Sequence, residues 1–312
     1  MSGKNVTEVV SANKQGVSRA ARILERGGLV AVPTETVYGL AARADNAEAV
    51  ARIYEAKGRP DFNPLIVHVT GIDQAQALAR MPSAAIDLAR REWPGPLTLV
   101  LPLRDGARLA PAVTAGLPTV AVRAPRHPVM RALLKRVAFP LAAPSANRSG
   151  FISPTRAEHV LESLDGRIDL ILDAGETEAG LESTILAWRA DGSWDELRPG
   201  PVDWAKPAGT PRAARRVEAP GQLASHYAPG KPVRLDADRP EPSEFFIGFA
   251  AEHGDCNLSP TGDLKEAAAR LYDCLHKGAA SDKPCIAVAP IPQSGIGRAI
   301  NDRLRRAAAP RE

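Results

Sequence analysis

Four cations, Lys57, Arg59, Arg123 and Arg198, are scattered along the first two thirds of the chain, each beside small hydroxyl, amide or proline residues. Ammonium and guanidinium groups in such settings suit phosphate and carboxylate oxygens, and the arginine fork adds bidentate geometry. Together the four match the charge of a triphosphate; singly, each also reads as a surface charge. Hydroxyls accompany them: Thr36 in VPTETVYGL (32–40), Thr119 in PTVAVRAP (118–125), Ser145 in PLAAPSANRSG (140–150), Ser153 in FISPT (151–155) and Ser183 in GLESTIL (180–186). Hydroxyl and backbone N–H donors in strand-to-loop turns meet anion oxygens without a bulky side chain in the way. His68 closes the segment EAKGRPDFNPLIVH (55–68), where it reads equally as a core histidine.

Pattern gives the elements that hold these residues. Residues 32–36 read as a buried strand ending in two hydroxyls, with Gly39 in a tight turn. Asn46 is placed to cap a helix whose Val50, Ile53 and Tyr54 share one face and whose natural stop is Gly58. That leaves Lys57 and Arg59 at a helix end and Asn63-Pro64 in a turn. WPGPLTLVL (93–101) reads as a Pro/Gly turn feeding a buried strand. Thr119 and Arg123, four residues apart, share one strand face. Ser153 or Thr155 is placed to cap the helix carrying Val160, and LRPGP (197–201) brings Arg198.

The chain has 312 residues, 44% hydrophobic, so two domains with ample core are expected. Residues 1–202 form the first, with mixed spacing that predicts a twisted mixed α/β sheet around a concave site. Residues 203–232, rich in Pro, Ala, Gly and Arg, read as a linker. In 233–312, apolar runs at 233–235, 245–249 and 285–289 alternate with helices, which predicts a small parallel α/β, Rossmann-like domain. Asp263 opens one helix with Leu264, Ala268, Leu271 and Leu275 on one face and Gly278 as its stop; another begins near Gly297. Gly295-Ile296-Gly297 is half a dinucleotide fingerprint and reads as packing. No stretch approaches the roughly 18–20 apolar residues of a membrane span, and residues 1–17 lack a signal-peptide core, so a cytoplasmic protein is expected. Cys256, Cys274 and Cys285 show no CxxC spacing and are expected to be buried free thiols. A net charge of +4 permits anionic ligands without calling for tRNA. The basic clusters at 212–216 and 303–306 read as a solvated linker and a helix face. No GxxxxGK[ST], HExxH, GxSxG or EF-hand loop occurs, so a triphosphate would need a non-Walker cradle.

Taken together, these segments resemble the YrdC-like family in its two-domain form. Residues 19–202 follow the catalytic domain, SHYAP (225–229) the interdomain segment and GIGRAINDRLRR (295–306) the close of the C-terminal domain. The resemblance implies a reaction of L-threonine, bicarbonate and ATP that yields threonylcarbamoyl-AMP and pyrophosphate, for threonylcarbamoylation of the tRNA adenosine beside the anticodon. By that resemblance, Thr36, His68, Arg123, Ala143 and Ser183 match positions that hold threonine. Arg59, Asn63, Thr119, Ser145, Ser153 and Arg198 match positions that hold ATP, with Lys57 in the same basic motif. His226 and Tyr227, a titratable donor and an amphipathic ring between Pro/Gly-rich flanks, suit contact with a nucleotide, so the linker is expected to serve as a lid. No metal ligand or nucleophilic side chain is assigned: catalysis by positioning is expected, with Mg2+ held mostly by ATP oxygens and water. The expected downstream partner is a tRNA threonylcarbamoyl-transferase complex, and a weak direct tRNA contact stays open.

Two rival functions remain. Carbamoyl-adenylate chemistry on another acceptor, as in hydrogenase-maturation carbamoyltransferases, would want an acylphosphatase-like region and zinc-finger cysteine pairs. A non-catalytic RNA-binding module would want aromatic platforms among basic residues, whereas aromatics are 4% of the chain.

Overall fold

A computed structural model describes residues 6–204, 217–222, 225–251 and 254–310. The first sheet is built from β1 (Glu8–Ser11), β2 (Val30–Val32), β3 (Gly39–Arg43), β4 (Ile66–His68), β5 (Leu97–Pro102), β6 (Thr119–Arg123), β7 (Leu141–Ala142), β8 (Leu170–Asp173), β9 (Thr184–Trp188) and β10 (Trp194–Arg198). Their order is β1-β8-β2-β3-β7-β4-β6-β5-β9-β10, with parallel pairs such as β4–β6 beside antiparallel ones such as β5–β6. This is the mixed α/β sheet expected from the uneven spacing of the strands.

Period-two alternation divides the strand residues between two cores. Ala31, Leu40 and Ala42 enter one, with Val50 and Ile53 of the helix Ala47–Lys57. Val30, Val32 and Ala41 enter the other, with Leu24 of the helix Lys14–Glu25 and Leu133 of the helix Pro128–Arg136. Short strands buried on both faces read as continuous apolar runs. Further along the sheet, Ile66, Ala121 and Ile185 form a smaller apolar patch covered by Ala219 of the segment 217–222. By the same alternation His68, Arg123 and Ser183 share the face of Ile66, Ala121 and Ile185. The polar residues therefore stand at the strand ends of a face roofed by the interdomain segment.

The second sheet holds β11 (Val233–Arg234), β12 (Glu244–Gly248), β13 (Cys256–Asn257) and β14 (Cys285–Val288), all parallel, in the order β11-β14-β12-β13. The helices Leu264–Ala280 and Gly297–Ala308 accompany it, and Asp263 caps the first by accepting from the backbone N–H groups of Lys265 and Glu266. The first sheet's last strand ends at Arg198 and the second sheet begins at Val233, on either side of 203–232. The cluster 212–216 lies outside the described residues. Among the described residues, no helix is long and apolar enough to cross a membrane.

Several local expectations are corrected. The strand expected over 32–36 stops at Val32, because Pro33 has no N–H to donate and Thr34 Oγ1 takes the backbone N–H groups of Thr36 and Val37, curling the chain. Gly39 opens β3 instead of making a turn. Neither Ser153 nor Thr155 caps the helix Ala157–Leu164, whose N-cap is Arg156; the Ser153 hydroxyl is drawn to Glu182 instead. Gly278 does not stop its helix. It is buried inside it, where a Cβ would meet Ile286 at 2.8 Å, so it is a close-packing glycine. Cys256 and Cys274 are joined by a disulfide: the helix lies on the sheet beside β13, which brings Cα atoms 18 residues apart to 5.9 Å, and no CxxC spacing is needed for that. Cys285 alone remains a free thiol, half-buried.

Candidate functional site

The helix Ala47–Lys57 ends where Gly58 takes the left-handed conformation, φ 57°. That reversal sends Lys57 and Arg59 inward. Lys57 Nζ donates to the carbonyls of Ser145 (2.6 Å) and Asn147, so a buried ammonium shapes the loop after β7. Burial pushes its pKa well below the ordinary lysine value, with the Arg59 charge adding to the effect. Arg59 donates to the carbonyls of Asn63 (3.1 Å) and Pro64 (2.9 Å), which closes the Asn63-Pro64 turn. Burial lowers its pKa to about 10. The Asn63 amide is fully buried with neither Nδ2 nor Oδ1 partnered.

Strand register places the next pair. β4 and β6 run parallel with His68 beside Arg123. Arg123 Nη1 donates to Thr36 Oγ1 at 2.9 Å and Nε to the Gly95 carbonyl at 3.3 Å. Its Nη2 stands 2.7 Å from Glu35 Oε1, an ion pair without the alignment of a hydrogen bond. Burial, the largest single influence, would raise the Glu35 carboxyl, but the Arg123 guanidinium and backbone N–H groups together outweigh it and hold the pKa at about 2. His68 is buried beside that arginine, and burial first, then Arg123, lowers its pKa to about 3. It is therefore a neutral imidazole with an unpartnered Nδ1.

On the other side, Ser183 precedes β9 and its Oγ lies 2.7 Å from Thr98 Oγ1. Arg198, at the end of β10, donates to the Ser183 carbonyl (3.1 Å), to Ser183 Oγ (3.2 Å) and to the Pro220 carbonyl (3.3 Å). The segment 217–222 is thus pinned over the sheet by an arginine, and the Gln222 amide oxygen holds its turn by accepting from the backbone N–H groups of Glu218 and Ala219. Residues 225–228 complete the cover. The Ala228 N–H donates to the Gly150 carbonyl, and the His226 N–H to the Arg306 carbonyl. Tyr227 adopts φ 62°, uncommon for a bulky residue. Burial lowers the His226 pKa to about 3, and His226 Nδ1 and Tyr227 OH lack partners.

These groups line one partly open cavity of about 40 Å³. That is room for a few water molecules, well short of the roughly 300 Å³ at which ligand pockets begin. Ten of the residues singled out in the sequence line it: Thr36, Arg59, His68, Arg123, Ala143, Ser145, Ser183, Arg198, His226 and Tyr227. Four do not. Lys57 and Asn63 stand behind the wall, Ser153 is turned to Glu182, and Thr119 lies half-buried at the far end of β6 from Arg123. Sequence reasoning missed Glu35, Glu182, Pro220 and Gly221. The two glutamates sit inside quoted motifs, PTET and GLEST, where only their eventual pairing with arginines would have marked them. Among the described residues, no group of three His, Cys, Asp or Glu side chains is arranged to hold a metal ion.

Residues 22–200 match the Sua5/YciO/YrdC family model, described as telomere recombination. Residues 179–309 match a second model, described as threonylcarbamoyl-AMP synthase, C-terminal domain. The threonylcarbamoyl-AMP synthase of Bacillus subtilis is 40% identical over 98% of this chain and 97% of its own length. That of Pyrococcus abyssi is 38% identical, with 93% of both covered. The crystal structure of P. abyssi Sua5 complexed with L-threonine is similar at TM-score 0.85 and 34% identity over 97% of each chain. E. coli YciO shares the fold alone, at TM-score 0.54 and 19% identity over 64% of this chain and 96% of its own. With the two family models matched one after the other along nearly its whole length, the chain belongs to the Sua5/YciO/YrdC family, in the two-domain form that carries the Sua5 C-terminal domain.

Proposed function

We propose that this protein joins L-threonine, bicarbonate and ATP into L-threonylcarbamoyl-adenylate with release of pyrophosphate. The observation that carries this reading is electrostatic. Arg59 and Arg198 are buried, face one cavity, and have neutral oxygens as their hydrogen-bond partners, with Lys57 similarly placed behind the wall. Buried cations without paired carboxylates stabilise a polyanion strongly. Arg123, by contrast, is half-neutralised by Glu35 and lies beside Thr36 and neutral His68. That end suits a zwitterion bearing a hydroxyl, because a site built to bond a hydroxyl rejects analogues that lack it. The names of the Bacillus and Pyrococcus relatives, and the threonine in the Pyrococcus structure, support the same assignment.

In this reading Arg123, Thr36, His68, Ala143 and Ser183 orient threonine, while Arg59 and Arg198 neutralise the phosphates and Ser145 donates a hydrogen bond to them. The free amine attacks the bicarbonate carbon, a C–O bond of the adduct breaks and the hydroxide leaves as water with the amine's proton; an oxygen of the resulting carbamate then attacks the α-phosphorus as the bond to pyrophosphate breaks. Orientation and charge neutralisation account for the acceleration without a covalent enzyme intermediate. Glu35 and Glu182 are both committed to arginines, so a magnesium ion would ride on the phosphate oxygens and water. His226 and Tyr227 act as a lid: the cavity as closed is too small for a nucleotide, so the segment must lift for entry, and its return excludes the water that would hydrolyse carbamate and mixed anhydride. The adenylate would pass in the cytoplasm to an enzyme that modifies tRNA. The test is pyrophosphate release from ATP with threonine and bicarbonate omitted in turn. Release that ignores either omission overturns the reading.

A further inference from the structure

Glu182 belongs to the cavity wall, yet most of its partners come from the other domain. Its carboxylate accepts from Ser153 Oγ at 2.5 Å, from Tyr272 OH at 2.9 Å and from Arg303 Nε at 2.9 Å. Tyr272 lies on the helix Leu264–Ala280 and Arg303 on the helix Gly297–Ala308. The Arg303 guanidinium, 0% exposed, also lies 5.4 Å from the centre of the Tyr227 ring, against which the Tyr272 ring stacks at 5.6 Å. One arginine of the C-terminal domain thus braces a carboxylate of the cavity wall and an aromatic ring of its cover. Burial would raise the Glu182 carboxyl, but Arg303 and Arg198 outweigh that and hold it ionised.

A buried ion pair is an expensive way to glue two domains, since apolar residues of similar volume often do as well. A cheaper contact of that kind exists here: Arg298 pairs with Glu196 across the same interface at 2.8 Å, and neither lines the cavity. The Glu182 cluster differs in that its members fix one another's direction: Ser153, Tyr272 and Arg303 all donate to the one buried carboxylate. We propose that Arg303 and Tyr272 are positioning residues of the active site, by which the C-terminal domain sets the geometry of the nucleotide side of the cavity through Glu182, Ser153 and Tyr227. The nucleotide assignment rests on the function proposed above; the coupling between domains does not.

The experiment compares three full-length variants, Arg303→Lys, Tyr272→Phe and, as control, Arg298→Ala. Lysine keeps the charge but loses the fork that reaches Glu182 and the ring together. In pyrophosphate release, Arg303→Lys is expected to raise the KM for ATP about tenfold and Tyr272→Phe about threefold, with the KM for threonine unchanged within about twofold. Arg298→Ala should leave both constants alone. Tyr272→Phe removes a single hydroxyl and carries the test should Arg303→Lys not fold. A second measurement uses no substrate: amide exchange at Ala228 should quicken at least about fivefold in Arg303→Lys or Tyr272→Phe and not in Arg298→Ala. Variants that only lower the melting temperature, with kinetics and exchange matching Arg298→Ala, overturn the proposal. A wild-type protein that makes no adenylate while the exchange result holds would sink the function and leave the coupling standing.

Discussion

Arg123 and Glu35 form an ion pair, Nη2 to Oε1 at 2.7 Å, in which both side chains are at most 5% exposed. The pair fixes the arginine in the plane that also delivers Nη1 to Thr36, so the acid sets the direction of the base. Removing Arg123 therefore does two things. It takes away the cation facing the amino-acid end of the cavity, and it strands a buried carboxylate. Arg123→Ala is expected to cost roughly 3–5 kcal/mol of stability, read by denaturant titration. In the folded fraction it should raise the threonine requirement far more than the ATP requirement. Equal losses for both substrates would make Arg123 a structural residue.

Acid should expose the same relationship. The pKa values of Glu35 and Glu182 are each lowered from 4.5 to about 2 despite burial, which on its own would raise them. A depressed native pKa stabilises fully above the unfolded value and is lost as pH falls toward the native one. Stability should therefore decline between about pH 4.5 and pH 2. Glu35→Gln should flatten that decline by up to about 1.4 kcal/mol per pH unit. Unfolding free energies measured across that window check it; an unchanged slope would mean that Glu35 is not ionised in the native state.

Arg59 gives the sharpest separation of the two substrates. Its charge faces the cavity with the carbonyls of Asn63 and Pro64 as hydrogen-bond partners and, among the described residues, no paired carboxylate, so contact with a phosphate is worth roughly 1.5–3 kcal/mol. Arg59→Ala should weaken ATP binding about tenfold or more and nearly abolish turnover, while threonine binding survives. Calorimetry of each ligand separately decides, and ATP affinity equal to wild type would return Arg59 to the role of closing the Asn63-Pro64 turn.

The fold class was legible in the sequence because it rests on local rules, and most of the cavity wall because its motifs resemble a known family's. Asn46 and Gly58 cap a helix by chemistry that needs only neighbouring residues, and the Thr119–Arg123 run is a strand by pattern alone. What stayed hidden depends on distant pairing. Glu35 and Glu182 look like solvated acids until β6 and the C-terminal helix bring Arg123 and Arg303 against them. Cys256 and Cys274 carry no spacing signal, since a strand and a helix of a parallel α/β unit join them. Thr119 stands apart from the cavity for the opposite reason. Sharing a face with Arg123 is true, but a strand rises about 3.3 Å per residue, so four residues carry it some 13 Å from the cavity end.

Gly221 links the cover to the arginine beneath it. Its φ is +85°, and a Cβ there would stand 2.8 Å from Tyr227 OH and 3.0 Å from Arg198 Cδ. Gly221→Ala carries a left-handed backbone penalty of about 1–2 kcal/mol and displaces either the ring or the guanidinium. The expected outcome is a KM for ATP raised several-fold with an intact overall fold by circular dichroism. Unaltered kinetics would show that the segment 217–222 yields without disturbing Arg198.

The last prediction concerns the cover at 225–228 as a lid governed by protonation. His226 is buried when the segment is closed, and burial lowers its pKa from 6.5 to about 3. Closure therefore selects the neutral imidazole: it is favoured in full above about pH 6.5 and weakens as pH falls below it. His159 and His276, stacked at the domain interface with centroids 3.8 Å apart, are lowered in the same direction, to about 4 and about 3. All three push toward opening in acid, so they must be separated by substitution. The protection factors of the amides at residues 225–228, which correct for the intrinsic slowing of exchange in acid, should fall between pH 7 and pH 5.5 in the wild type. His226→Ala should remove part of that dependence, and His276→Asn the part that arises at the interface. Replacing His226 and Tyr227 together with alanine should speed escape of the adenylate from the enzyme at every pH, seen as product in solution during a single turnover. Full product retention in that double variant, together with protection factors that do not change with pH, would reduce the segment to a tether.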